Sequence, residues 1–138
     1  MRRMGARIGA TILLAALATP ALAAGALPID GAFGNPGGCH YFATGDVPND
    51  DFALLTPDTF ASYGTACDFE ALVSTDNSVF IVRATCQAEG EEGAGPDHLK
   101  VIDHGVDGYG VQFEGLEEWG PYKACPPTGL PPSSEVAL

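Results

Sequence analysis

Four cysteines, Cys39, Cys67, Cys86 and Cys125, are the residues of this chain best suited to covalent chemistry with one another. An even count in a small exported domain reads as two disulfides. A structural zinc site would require cysteine pairs separated by about two to four residues, and no two cysteines here are that close. Three pairings are possible. Cys39–Cys67 with Cys86–Cys125 is preferred, since it closes two loops worth roughly 3.5–4 kcal/mol each by the chain-entropy account. The alternative is Cys67–Cys86 with Cys39–Cys125. A hairpin turning at Asp76-Asn77 would put Cys67 and Cys86 equally far from the turn and on one face. The two are therefore neighbours in space whichever partner each takes.

Other chemistry is sparse. The histidines are His40, His98 and His104, two of them beside Asp97 and Asp103. His98 and His104 lie too far apart along an extended chain to share a metal on their own, and they read as surface residues at strand ends. Asp103-His104-Gly105-Val106-Asp107-Gly108 invites a calcium reading, but it lacks the D-x-D-x-D-G alternation of an EF-hand loop. A non-EF calcium site could draw ligands from Asp97, Asp103 and Asp107 or from Asp46, Asp50 and Asp51, but an Asp-Gly turn accounts for the segment more simply. The pairs Glu91-Glu92 and Glu117-Glu118 are adjacent, so on a strand their carboxylates point to opposite faces. No G-x-S-x-G elbow and no phosphate-cradling loop is present. No catalytic residue, metal ligand or cofactor is assigned. The best candidate ligand surface is Tyr109, Trp119 and Tyr122 amid Glu114, Glu117 and Glu118. Aromatic rings bordered by carboxylates suit a cationic partner. The same rings would also serve to plug the end of a barrel.

Charge and composition agree with such a partner. The chain has 138 residues with 6 basic and 18 acidic side chains, a formal net charge of −12. That excludes a generic nucleic-acid binder. Residues 1–23 read as a signal peptide: Arg2, Arg3 and Arg7, the apolar run Ile8 to Leu17, then Pro20 and the small-residue site Ala21-Leu22-Ala23. The run is too short to span a bilayer, so no membrane span is expected after cleavage, and the mature protein is expected in the periplasm or secreted. Cleavage leaves Arg83, Lys100 and Lys123 against all 18 acidic residues, a net charge of −15. Self-repulsion of this size favours a cationic partner or a salty medium.

The elements that would position these residues are strands. Phe80, Val82, Ala84 and Cys86 alternate with Ile81, Arg83, Thr85 and Gln87, and Cys67, Phe69, Ala71 and Val73 alternate with Asp68, Glu70 and Leu72. Ile29–Phe33, Phe52–Leu55 (a short buried strand or one helical turn), Tyr63–Val73, His98–Asp103, Tyr109–Glu114 and Trp119–Cys125 complete the set, with a turn at Thr56-Pro57-Asp58 and a tight turn or a close backbone approach at Gly37-Gly38. No helical periodicity of useful length follows the signal. The fold class is all-β: a small antiparallel meander of about six strands with two disulfides, in a closed or partly open barrel that hides its edges. It is one domain, residues 24–125, followed by a Pro/Ser-rich tail, residues 126–138, that reads as disordered.

Gly31-x-Phe33, Cys39, Cys67 and Cys86-Gln87-Ala88-Glu89-Gly90-Glu91, closing at Cys125, resemble a group of small exported proteobacterial proteins of unknown function that carry a C-x-x-E-G stretch. The resemblance spans residues 30–125. It implies a disulfide-linked β-domain and brings no activity to transfer. The reading is of an exported acidic β-domain that acts as a non-catalytic binding or inhibitor-like module for a cationic protein or ligand. The alternative is a small periplasmic enzyme or a calcium-dependent protein.

Overall fold

Phe80, Val82, Ala84 and Cys86 turn inward as their alternation requires, while Arg83 and Gln87 face solvent. This strand belongs to a closed antiparallel barrel of eight strands in simple meander order. The computed structural model describes Ala15, residues 25–90 and residues 95–127. The segment read as a signal peptide, Ala15 apart, lies outside the described residues, as do Glu91-Glu92 and the residues beyond Pro127. The strands are β1 (Phe33–Gly34), β2 (Ala53–Leu55), β3 (Thr59–Ser62), β4 (Thr65–Asp76), β5 (Val79–Ala88), β6 (Gly95–Asp103), β7 (Tyr109–Phe113) and β8 (Glu118–Ala124). β1 pairs with β8 and closes the barrel. Among the described residues no helix is long and apolar enough to cross a membrane.

An eight-stranded barrel has an interior that side chains can fill. Here Leu55, Phe60, Val82, Leu99, Val101 and Val111 fill it and are fully buried. Leu27 and Ile29 join this core ahead of the first strand, held by the Leu27 amide donating to the Pro57 carbonyl at 3.0 Å.

Eight strands replace the six or so expected, for local reasons. The strand expected from Tyr63 begins only at Thr65, because Gly64 adopts a left-handed φ of +81° and reverses the chain, and Thr59–Ser62, not expected as a strand, forms β3 before the turn. The first strand is only Phe33–Gly34 and not Ile29–Phe33.

Gly37-Gly38 form no tight turn but lie in a helix, α1 (Pro36–Thr44), where the other reading of them, a close backbone approach, holds. Asn35 caps it, its Oδ1 accepting from the Gly38 amide at 2.8 Å and from the Ala53 amide at 2.9 Å. Pro36 opens the first turn and Gly45 closes the last in a left-handed conformation, which are the usual punctuation of a helix. The two glycines serve close packing: a Cβ on Gly38 would lie 1.8 Å from the Ala53 carbonyl oxygen.

The disulfides are Cys39–Cys125 and Cys67–Cys86. This overturns the preferred pairing of Cys39 with Cys67 and Cys86 with Cys125. Chain entropy barely discriminates, since the observed loops would contribute roughly 4.5 and 3 kcal/mol. Register decides: Cys67 lies directly opposite Cys86 on β4 and β5. Cys125 follows β8 at once, its amide donating to the Ala32 carbonyl at 2.8 Å, and Cys39 sits in the helix that follows β1. This bond therefore reinforces the seam where β1 meets β8 through only two residue pairs, Phe33 with Ala124 and Gly34 with Lys123.

Candidate functional site

β7 and β8 carry the aromatic and acidic residues singled out in the sequence. On β7, Tyr109, Val111 and Phe113 share the inner face, and register sets Trp119 opposite Val111 and Tyr122 opposite Tyr109. The rings converge on Phe60 from β3. Its centroid lies 6.0 Å from Phe113, 6.1 Å from Trp119 and 6.3 Å from Tyr122, and Phe113 and Trp119 stand 5.1 Å apart. Tyr109 meets Phe33 edge-on at 4.7 Å. These are favourable aromatic spacings. Burial raises the Tyr122 hydroxyl above its ordinary pKa, helped by the charge of Asp51. Burial, with Asp103 and Asp30, does the same for Tyr109.

The six residues read as one surface are divided among four places. Trp119 and Glu114 line a cavity at the barrel rim. Glu117 is exposed in the turn between β7 and β8. Glu118 faces outward, runs flat across Gly110 and is hydrogen-bonded to Nε2 of His104. A Cβ on Gly110 would meet the Glu118 carboxylate, so the missing side chain makes room for this contact. Tyr109 and Tyr122 pack inward against the core.

The rim cavity has a volume of about 280 Å³. It opens at the end of the barrel where β3 turns into β4 and β7 into β8, opposite the β2–β3 turn to which Leu27 is bonded. Cys86, Phe113 and Trp119 form its apolar lining, with Leu116 beside them and the carboxylates of Asp97 and Glu114 at its edge. Phe113 and Leu116 were not expected in a site. The alternation Tyr109, Val111, Phe113 marks Phe113 as inward, but nothing local to Leu116 links it to Trp119. Aromatic rings and two acidic residues in one lining give the arrangement its chemistry, attraction for a desolvating cation.

Among the described residues no three His, Cys, Asp or Glu side chains converge as metal ligands. Asp103 is used locally, Oδ1 accepting from the Gly105 amide at 2.8 Å to shape the turn between β6 and β7. Comparison with protein-family models, with curated proteins and with solved structures found no match to this chain.

Proposed function

We propose that this is an exported, periplasmic or secreted, acidic β-barrel that acts as a non-catalytic binding or inhibitor-like module, taking a cationic side chain of a partner at the rim cavity. The observation that carries the reading is a cavity lined by Phe113 and Trp119 together with Asp97 and Glu114. The charge supports it, with three basic residues beyond position 23 against 18 acidic ones. Two intramolecular disulfides support export, since such bonds persist in oxidising compartments. The acidic field would speed encounter with a cationic partner more than it deepens affinity.

Trp119 is the single tryptophan of the chain, so its fluorescence reads the cavity directly. Titration with an oligolysine and an oligoarginine peptide at low salt should change its emission saturably. Asp97→Asn combined with Glu114→Gln should weaken binding by about tenfold, and NaCl should weaken it for the native protein. An emission that stays flat, or a double variant that binds as well as the native protein, removes the proposal.

A further inference from the structure

A second recess lies on the outer wall of the barrel. β6 presents His98 and Lys100 to solvent. Register places Lys100 between Ile81 of β5 and Gln112 of β7, and His98 opposite Arg83. Ile81, His98, Lys100, Gln112 and Glu114 border a groove of about 320 Å³. The Gln112 amide donates to the Leu116 carbonyl at 2.9 Å and stiffens the β7 side.

The charges of this groove are unusual for the molecule. Beyond position 23 the chain has only three Lys and Arg residues, and two of them, Arg83 and Lys100, stand on this one wall. Arg83 is occupied by Glu70 at 3.2 Å. Among the described residues neither His98 nor Lys100 enters an ion pair. Glu114 borders the groove on the β7 side of them, and Ile81 supplies an apolar surface on the β5 side. A simple anion would be repelled by the net charge of the protein and by Glu114. A ligand bearing both signs is not repelled as a whole, yet can satisfy both ends.

We propose that this groove binds a small zwitterion of the amino-acid type, its carboxylate between His98 and Lys100, its ammonium on Glu114 and its apolar side chain over Ile81. The groove and the rim cavity share Phe113 and Glu114 and no other lining residue.

The test is a backbone-amide NMR titration of the oxidised protein with leucine, leucinamide and 4-methylpentanoate, the last two each lacking one of the charges. Leucine should shift the Lys100, His98 and Gln112 amides saturably and bind at least about tenfold tighter than either analogue. Lys100→Gln and, independently, His98→Gln should weaken leucine binding with an unchanged melting temperature. Equal binding of 4-methylpentanoate would make the groove a plain anion patch and overturn the proposal. So would equal binding of leucinamide at these amides, or no saturable shift with leucine. A leucinamide effect confined to the Trp119 indole reports the rim cavity alone, and it leaves the groove to be judged by leucine.

Discussion

Cys67 and Cys86 stand directly opposite each other with their Cα atoms 4.0 Å apart, although the turn that joins their strands is not centred between them. The turn is Asn77-Ser78, flanked by the pair Asp76 and Val79, and Asn77 takes the left-handed φ of 52° there. Simple pairing from that turn would miss the cysteines by two positions. Two bulges, between Phe69 and Ala71 and between Leu72 and Ser74, place extra residues in β4 and restore the match. They also end the alternation that put Val73 on the inner face, leaving Val73 54% exposed.

The Cys67–Cys86 bond lies within the barrel core, so its loss removes both a cross-link and buried contacts. Cys67→Ala with Cys86→Ala should lower unfolding free energy by about 2–5 kcal/mol, read from urea denaturation. A loss under about 1 kcal/mol would show that register alone holds β4 on β5. Peptide mapping without reductant should recover Cys39 joined to Cys125 and no Cys39–Cys67 peptide.

Gly38→Ala sets a methyl group against the Ala53 carbonyl oxygen, which is backbone and cannot swing aside. The helix must lift from β2, straining the Asn35 bonds that bridge them. Destabilisation of about 1–3 kcal/mol is expected from such overpacking. A variant as stable as the native protein in denaturant titrations would contradict the close approach.

Phe60 touches the rings of Phe113, Trp119 and Tyr122. Phe60→Ala should cost about 3–5 kcal/mol and shift the Trp119 emission to the red as water reaches the indole. Unchanged emission would mean that the ring cluster does not depend on Phe60.

Glu70 accepts hydrogen bonds from Thr85 and from Arg83, which hold its carboxyl below the usual glutamate value of about 4.5. A depressed carboxyl stabilises the fold above its unfolded pKa, and this benefit is lost as pH falls through the folded one. The stability difference between native protein and Glu70→Gln should therefore stay constant from pH 7 to about 5.5 and shrink as pH falls below about 4.5. Chemical denaturation at several pH values reads it. A difference that grows on acidification would reverse the assignment.

Self-repulsion predicts that added salt stabilises the protein. The screening length falls from about 30 Å at 0.01 M to about 10 Å at 0.1 M, so the melting temperature should rise over that range. A flat or falling melting temperature would show that the acidic side chains are already compensated.

The strand alternation around Cys86, the presence of two disulfides and the closed antiparallel barrel were all legible in the residues themselves. Each follows from a property repeated along a short stretch: which neighbours are apolar, and how many cysteines must be paired. The helix at Pro36–Thr44 carried its own signals in Asn35-Pro36 and Gly45, hidden by glycines that seemed to mark a turn. The glycines also allowed a close backbone approach, and the tertiary structure shows which backbone they approach, because the Ala53 carbonyl that Gly38 meets is supplied by a different element. It likewise decided which cysteines join and which of the six candidate residues share a cavity. Periodicity states which face a residue occupies. Contacts between distant strands depend on register added up along each strand, and two bulges in β4 are enough to change which residues meet.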